Sequence, residues 1–436
     1  MTLWIKNGRV VDPLDGKIRK ADILIEKGTI QRIGPSGESL EKGPRMEEID
    51  ASGKLVVPGL IDMHVHLREP GHEYKETIET GGMAGVAGGF TALACMPNTE
   101  PVNDSSSVTE FILTQARASC PLRVYPIAAV SLGQKGERLT EFGDLKKAGA
   151  VAVSDDGHPV KNSELMRRAL EYARFHGLSV ISHCEETDLS RGGCMHEGEI
   201  STRIGLAGIP AASEEIMVFR DVCLAKLTGC PVHIAHVSTR GSVDIIRRAK
   251  EDGVPVTAET APHYFTLDHT AVMGYRTEAK MNPPLRGPED VAAIQQGLKQ
   301  GVLDVIATDH APHSPLEKDL EFQEAAFGII GLETALPLTL ALVSKGILTL
   351  PEAVRRVSSN PARILDIPGG RLREGLPADL AVVDPDVEYT LRAEDLHSKS
   401  HNSPFLGVPL KGRVDLTVVG GRIAWRRRTK DTGRGR

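Results

Sequence analysis

The chain has 436 residues, of which 40% are hydrophobic and 25% charged, a composition typical of folded globular proteins. Its formal net charge of −6 and its 4% aromatic content exclude a basic surface for nucleic acid and an aromatic stacking platform. No apolar run is long enough to span a membrane and the first residues alternate like a strand instead of forming a signal peptide, so we expect a cytoplasmic protein that binds neither nucleic acid nor membrane.

Both ends of the chain predict short strands separated by turns. In residues 1–57, apolar runs alternate with glycine-bearing pairs such as Asn7-Gly8, which predict turns. Residues 366–425 show the same pattern. Because two strand-rich ends flank a different middle, we predict that 1–57 and 366–425 together build one composite β-sandwich domain. The basic stretch 426–436 predicts a disordered tail.

The middle of the chain, residues 58–365, alternates short apolar strands with helical stretches. The eight candidate strands are residues 59–62, 91–95, 124–128, 150–153, 179–182, 231–235, 254–258 and 304–307. Helical periodicity lies between them, for example over residues 162–176 and 242–251. Repeated strand–helix units give parallel strands, so eight units in about three hundred residues predict an α/β fold, a (β/α)8 TIM barrel. Composition leaves an open doubly wound sheet as the alternative.

Histidine and aspartate recur where these strands end. His64 and His66 follow the first strand, and residues two apart in a strand point to the same face. The later strands end at Asp155, Asp156, His183, His236 and Asp309. Because the carboxyl ends of barrel strands meet at one face, we expect these side chains to converge. Imidazole and carboxylate together suit zinc, so the whole set predicts a metal site although one H-x-H pair would be weak evidence.

The number of ligands predicts two Zn²⁺ ions per chain, because one zinc rarely takes six ligands from protein. A metal pair needs a bridging anionic ligand. Strand alternation sends Asp155 and Asp156 to opposite faces, so only one can bridge, and the strand phase does not decide which. Metal binding lowers the pKa of water to about 7 and so provides a nucleophile, whose proton a neighbouring aspartate can pass to a leaving nitrogen.

Motifs along the chain resemble the amidohydrolase superfamily and, within it, the dihydroorotases. They are Val57-Pro58-Gly59-Leu60-Ile61-Asp62-Met63-His64-Val65-His66, Leu67-Arg68-Glu69-Pro70-Gly71, Met96-Pro97-Asn98-Thr99, Ser154-Asp155-Asp156-Gly157, His183-Cys184-Glu185-Glu186, His236-Val237-Ser238-Thr239, Met281-Asn282-Pro283-Pro284-Leu285-Arg286 and Ala307-Thr308-Asp309-His310-Ala311-Pro312-His313. The resemblance covers nearly the whole chain. It implies a zinc-dependent hydrolase that interconverts (S)-dihydroorotate and N-carbamoyl-L-aspartate in de novo pyrimidine (UMP) biosynthesis.

The resemblance also implies roles for single residues. The zinc ligands would be His64, His66, Asp156, His183, His236 and Asp309, with Asp309 also the catalytic base. The family motif favours Asp156 over Asp155 as the bridge, in the position where many superfamily members carry a carboxylated lysine. The implied substrate positions are His66, Arg68, Asn98, Asn282, His313, Phe327 and Gly328. Arginine suits a carboxylated substrate because its guanidinium binds a carboxylate in a bidentate way. Neither His263 nor Cys184 receives a metal role.

Two alternatives remain at this point. Another cyclic amidohydrolase, a hydantoinase, dihydropyrimidinase or allantoinase, characteristically carries the bridging lysine that this sequence lacks. An inactive dihydroorotase-like scaffold for aspartate carbamoyltransferase would have lost ligands, whereas all the predicted ligands are present here. The sequence does not decide the oligomeric state, although we expect a homodimer, and it leaves open a complex with aspartate carbamoyltransferase. Residues 310–328 are a candidate lid over the site.

Overall fold

A computed structural model describes residues 2–37 and 46–427. Residues 428–436, most of the predicted tail, lie outside the described residues. The strands are β1 (Thr2–Asp12), β2 (Lys17–Glu26), β3 (Thr29–Pro35), β4 (Met46–Asp50), β5 (Leu55–Pro58), β6 (Leu60–Val65), β7 (Phe90–Cys95), β8 (Arg123–Ala128), β9 (Ala152–Val153), β10 (Ser179–Ser182), β11 (Met195–His196), β12 (Gly208–Ile209), β13 (Val232–Ile234), β14 (Val256–Thr260), β15 (Val305–Ile306), β16 (Leu380–Thr390), β17 (Pro409–Val419) and β18 (Arg422–Arg426).

Most of the helices lie between the strands of the middle region. They are α1 (Ile78–Ala87), α2 (Ser106–Ser119), α3 (Phe142–Ala148), α4 (Ser163–Phe175), α5 (Thr187–Ser190), α6 (Glu199–Ile204), α7 (Ala212–Thr228), α8 (Arg240–Glu251), α9 (Pro288–Gln300), α10 (Pro315–Lys318), α11 (Ala335–Ser344), α12 (Leu350–Val354) and α13 (Asn360–Leu365). A π-helical turn, Arg355–Ser359, joins α12 to α13. Across the described part of the chain, no helix is both long and apolar enough to cross a membrane.

The middle region forms the predicted barrel. Eight parallel strands pair in the order β15-β14-β13-β10-β9-β8-β7-β6. The ring closes beyond the last strand, where Val65 pairs with His310 and the backbone N–H of His66 donates to the carbonyl of His310 over 2.8 Å. Every residue of β6 and β7 is buried, as expected for parallel strands covered on both faces. The barrel prediction is confirmed, and the open sheet is excluded.

Strands from both ends of the chain form the second sheet. Its order is β18-β17-β16-β5-β1-β2-β3, and β4 pairs with β1. The sheet has an apolar core of its own, which includes Ile5, Ile23, Leu380 and Val418. This sheet supports the predicted composite domain. We propose residues 1–57 and 366–425 as its bounds. Since β5 runs directly into β6, the small domain is anchored to the strand that carries the first predicted ligands.

The predicted turn at Asn7-Gly8 was wrong. Both residues lie inside the continuous strand β1, where the pairing with β2 shifts register between Ile5 and Gly8. Asn7 takes a positive φ of 61° and its N–H donates to Asp22 Oδ1 over 2.7 Å. The pair therefore forms a bulge, because the residues on both sides of it stay bonded to the same partner strand.

One segment of the C-terminal part leaves its sheet and contacts the barrel. The strap, residues 397–403, lies between β16 and β17. Its first residue is His397, whose backbone N–H donates to the Glu333 carboxylate. The His397 ring is hydrogen-bonded to the same carboxylate. Further along, the N–H of Ile330 donates to the carbonyl of Asn402 over 3.0 Å. The strap thus lies against loops that follow the last barrel strand.

Candidate metal centre and substrate pocket

The structure brings all six predicted ligands together at the carboxyl ends of the barrel strands. His64 lies in β6, and the other five follow β6, β9, β10, β13 and β15 within one to three residues. These five are His66, Asp156, His183, His236 and Asp309. All six are buried, and the largest exposed fraction among them is 8%. Backbone strain accompanies two of them, since His236 and Asp309 have positive φ values of 30° and 50°.

Asp156 lies at the centre of the cluster. Its Oδ1 atom is 3.3 Å from His64 Nε2, 3.5 Å from His183 Nδ1 and 3.4 Å from His236 Nε2. Its Oδ2 atom is 3.4 Å from His66 Nε2. One carboxylate therefore reaches both histidine pairs, which is the arrangement that a bridging ligand requires.

Asp309 lies at one side of this cluster. Its Oδ1 atom is 3.1 Å from His66 Nε2 and 3.6 Å from His64 Nε2. Burial opposes its charge, but the neighbouring histidines hold the pKa of Asp309 below its usual range. The carboxylate is thus ionised at neutral pH and lies next to the first histidine pair, where it can accept a proton.

Asp155 faces away from the cluster. Its Oδ1 accepts hydrogen bonds from the N–H groups of Val130 and Ser131 over 2.8 and 3.1 Å, and its Oδ2 accepts one from the Ser131 hydroxyl. Burial raises the pKa of Asp155 to about 6. Asp155 and Asp156 point in different directions, as strand alternation predicts, and only Asp156 contacts the histidines.

The donor set fits metal ions. Two groups of ligand atoms can each hold an ion, one from His64, His66 and Asp156 and the other from Asp156, His183 and His236. His64 Nε2 and Asp156 Oδ1 are buried without a hydrogen-bond partner. Buried polar atoms without partners are unfavourable, and a metal ion between these atoms would satisfy them.

A chain of buried polar residues behind His64 was missed by the sequence analysis. His64 Nδ1 lies 2.5 Å from Glu259 Oε1, and Glu259 Oε2 lies 3.2 Å from His233 Nε2. The last contact in this series of hydrogen bonds joins His233 Nδ1 to Thr257 Oγ1 at 2.8 Å. A carboxylate at Nδ1 fixes the tautomer that leaves Nε2 for a metal. The available signal was a glutamate in the barrel strand β14, in which every residue except Thr257 is buried.

His183 and His66 also have polar partners at their second ring nitrogens. His183 Nε2 lies 2.9 Å from Glu185 Oε2, which accepts a further hydrogen bond from Asn282 Nδ2 over 3.0 Å. Although burial opposes its charge, His183 and its other partners lower the pKa of Glu185 to about 2. His66 Nδ1 lies 2.8 Å from Asn98 Oδ1. Two predicted substrate residues, Asn98 and Asn282, are thus joined to the metal centre.

The remaining predicted substrate residues form a pocket beside Asp309. Arg68 is only 8% exposed, its Nε donates to the carbonyl of Pro312 over 3.1 Å, and its Nη2 lies 3.3 Å from His313 Nε2. Burial and the charge of Arg68 lower the pKa of His313 to about 2, so its imidazole is neutral. Arg68 therefore supplies the positive charge beside His313.

Gly328 lies against the same pocket, and its close contacts require a glycine. At its φ of 127°, an added Cβ would lie 2.7 Å from Ala311 Cβ and 3.2 Å from His313 Nε2. The ring of Phe327 lies 4.3 Å from Lys280 Nζ. We call residues 326–328 the pocket wall, because Gly328 packs directly against Ala311 and His313.

The two residues without a predicted metal role lie outside the ligand groups. Cys184 is buried, with Sγ 3.5 Å from Asp221 Oδ2 and 3.6 Å from Ser182 Oγ. His263 Nε2 is buried without a partner, and burial lowers its pKa to about 4. Neither side chain belongs to a described group that could hold a metal ion.

Sequence comparison finds relatives that match over nearly the full length of the chain. A family model described as dihydro-orotase-like matches residues 53–242. The chain is 56% identical over 427 residues to the dihydroorotase of Geobacter metallireducens, with 98% of this chain and 100% of the relative covered. It is 55% identical over 428 residues to the dihydroorotase of Pelotomaculum thermopropionicum, covering 97% of this chain and 98% of the relative.

Structure comparison finds the same architecture in hydantoinases. The L-hydantoinase (dihydropyrimidinase) from Arthrobacter aurescens aligns with a TM-score of 0.87 at 26% identity, covering 97% of this chain and 95% of that chain. The D-hydantoinase (dihydropyrimidinase) from Thermus sp. aligns with a TM-score of 0.82 at 29% identity and the same coverage. Shared architecture therefore extends to proteins named for other cyclic amides.

Proposed function

This chain belongs to the dihydroorotase family of the amidohydrolase superfamily and is a hydrolase of cyclic amides, and we propose that it interconverts (S)-dihydroorotate and N-carbamoyl-L-aspartate. The reaction would serve de novo UMP synthesis. Two zinc ions would be held by His64, His66, Asp156, His183, His236 and Asp309. Zinc when bound supplies a Lewis acid for the amide carbonyl and an activated water at neutral pH.

Arg68 is the residue that we expect to select the substrate. Its guanidinium is buried, and among the described residues it forms no ion pair within 4.0 Å, so the carboxylates of Asp309 and Glu317 act on its charge only from further away. A buried charge without a counter-ion is unfavourable. The carboxylate of dihydroorotate would supply that counter-ion, whereas hydantoin and dihydrouracil have no carboxylate. This observation favours a dihydroorotase over the hydantoinases that share the fold.

The other pocket residues would orient the ring and move the proton. Asn98 and Asn282 offer amide groups to the polar atoms of a cyclic amide, and the backbone of Phe327 and Gly328 offers further hydrogen-bond groups. His66 lines the side nearest Asp309. The Asp309 carboxylate would take a proton during ring opening and deliver it to the ring nitrogen that leaves. Ring closure uses the same groups in reverse.

We expect the purified chain with zinc to turn over dihydroorotate and N-carbamoyl-L-aspartate, and not hydantoin, dihydrouracil or allantoin. Zinc content is counted in the same samples, and a chelator should abolish turnover. Turnover of the uncharged cyclic amides would instead assign a hydantoinase, dihydropyrimidinase or allantoinase. A zinc-loaded chain without any turnover would assign a scaffold, or an enzyme that needs its partner.

Asp309→Asn should remove turnover while part of the zinc remains bound, because the amide keeps an oxygen ligand but cannot accept the proton. A loss of about 10²- to 10⁴-fold in kcat is typical when a general base is removed. Wild-type turnover in the Asp309→Asn protein would refute this role.

We also propose a homodimer in the cytoplasm. All six cysteines are free thiols, which fits a reducing compartment. Helix α7 exposes Ile216, Phe219 and Leu227, which supports a protein partner on that face. A second copy of the chain is the occupant that we expect, and aspartate carbamoyltransferase is the alternative. Light scattering of the purified chain, alone and mixed with that enzyme, distinguishes the two.

A further inference from the structure

The strap, residues 397–403, is bound to the barrel by side chains that the reaction itself does not use. Ser398 Oγ donates to Glu76 Oε2, and the N–H of Lys399 donates to Glu76 Oε1 over 3.0 Å. Glu76 is fully buried, and its Oε2 also lies 3.3 Å from Nε2 of His310, the neighbour of Asp309 in the chain. One end of the strap is therefore fixed next to the metal centre.

Asn402 fixes the other end, and its side chain contacts the substrate pocket's backbone. Asn402 is 5% exposed. Its Nδ2 donates to the carbonyls of Ala311 and Gly328 over 3.0 and 3.1 Å, and its Oδ1 accepts the N–H of His313 over 3.1 Å. The amide orientation is determined by chemistry, because the two carbonyls need a donor and the N–H needs an acceptor.

These three bonds join two separate segments of the pocket. Ala311 and His313 belong to the loop after β15, whereas Gly328 belongs to the wall that faces it. The two segments are also joined directly, since the N–H of Ala311 donates to the carbonyl of Ile329 over 2.8 Å and an added Cβ at Gly328 would lie 3.2 Å from His313 Nε2. A small change in their spacing would move His313, and with it the Arg68 guanidinium that lies 3.3 Å from His313 Nε2.

We propose that Asn402 is a positioning residue for substrate binding, which sets the spacing between the His313 loop and Gly328 from outside the barrel. The inference rests on the proposed function, because it assigns these two segments to the substrate. Asn402 touches neither the six predicted ligands nor the reacting atoms. It therefore acts on affinity for the substrate and leaves the chemical step and the metal unchanged.

Two variants test this role, with a matched control in the same strap. Asn402→Ala removes all three bonds. Asn402→Asp keeps the acceptor for the His313 N–H but turns a carboxylate oxygen toward two carbonyls, which repel it. Ser400→Ala is the control, because Ser400 is equally buried and donates one hydrogen bond, to the carbonyl of Lys75 over 2.7 Å, away from the pocket wall.

We expect both Asn402 variants to raise KM about 10-fold for dihydroorotate and N-carbamoyl-L-aspartate, which corresponds to about 1.4 kcal/mol of lost binding. Their kcat and zinc content should match the wild type, since only binding common to the ground and transition states is lost. Ser400→Ala should keep the wild-type KM. Hydrogen–deuterium exchange over residues 309–314 and 326–331 should be faster in the Asn402 variants alone.

An unchanged KM in both Asn402 variants would overturn the proposal. The proposal would also be overturned if kcat and zinc content fell together with affinity, or if both Asn402 variants failed to fold while Ser400→Ala folded. Either result would mean that Asn402 serves general stability. If the wild type turns over neither carboxylated substrate, the proposed function fails by itself. The exchange comparison still tests in that case whether Asn402 holds the two segments together, and unchanged exchange would overturn that role.

Discussion

Glu259 lies behind His64, a predicted metal ligand, and has no part in the proposed reaction. It accepts from His64 Nδ1 at 2.5 Å, and although burial opposes its charge, His64 and His233 lower its pKa below the usual range. A buried, ionised carboxylate at this nitrogen increases the basicity of His64 and holds its ring in place. Glu259 should therefore strengthen metal binding without touching the metal.

Glu259→Gln should weaken zinc binding about 10- to 100-fold, because the neutral amide no longer increases the basicity of His64. The measurement is zinc affinity by competition with a chelator. Thr257→Val is the control, since it removes only the hydrogen bond at the far end of the same chain. Equal zinc affinities in the two variants would contradict the role of Glu259.

At the scale of elements, α4 follows the loop that carries Asp156. Its buried residues, Met166, Ala169, Leu170 and Ala173, repeat at helical spacing and face the barrel. Asn162 caps the start of the helix, since its side chain accepts from the N–H groups of residues 164 and 165 over 2.9 and 3.1 Å. Asn162 therefore ends the loop after Asp156 and begins the helix that packs behind it.

Asn162→Ala should lower the free energy of unfolding by about 1 kcal/mol, the usual effect of removing a side-chain cap. The matched control is Ser105→Ala, because Ser105 precedes α2 but makes no cap hydrogen bond with it. Urea unfolding followed by circular dichroism measures both. A larger loss in the Ser105→Ala protein than in the Asn162→Ala protein would contradict this account.

At the scale of the whole molecule, distant parts of the chain converge on the metal centre. The central strand β5 of the second sheet continues into β6, which carries His64. Gly59 between them lies so close to Thr91 that an added Cβ would overlap its side chain. The strap returns from the C-terminal part of the chain to the pocket, where Asn402 Nδ2 donates to the carbonyl of Gly328. Metal binding at the centre should therefore stabilise the fold as a whole.

Removing zinc should lower the Tm of the wild type, and adding zinc back should restore it. A ligand that binds only the folded state contributes about 2.7 kcal/mol at 100 times its Kd. Calorimetry before and after chelation measures the shift, with zinc content counted in each sample and re-addition as the control. A Tm that stays constant while zinc is lost would contradict metal binding at this centre.

The sequence by itself determined the barrel and the face of it at which the six predicted ligands meet. Alternating apolar strands and amphipathic helices are local patterns, so all eight barrel strands and helices such as α4 could be predicted from short windows. The ligand positions followed because parallel strands end at one face, which places residues at strand ends together whatever their separation in the chain. The relatives and the structure confirm the family and the fold on which those predictions depended.

Only the tertiary structure decided contacts that depend on side-chain direction or on segments far apart in sequence. The strand phase could not separate Asp155 from Asp156, whereas the fold turns only Asp156 toward the histidines. The roles of Glu259 and Asn402 depend on contacts with distant residues, up to 195 residues away for Glu259 and up to 91 for Asn402. The Asn7-Gly8 bulge also depends on a tertiary contact. The residues before and after this pair bond to β2, and that pairing overrides the tendency of the dipeptide to form a turn.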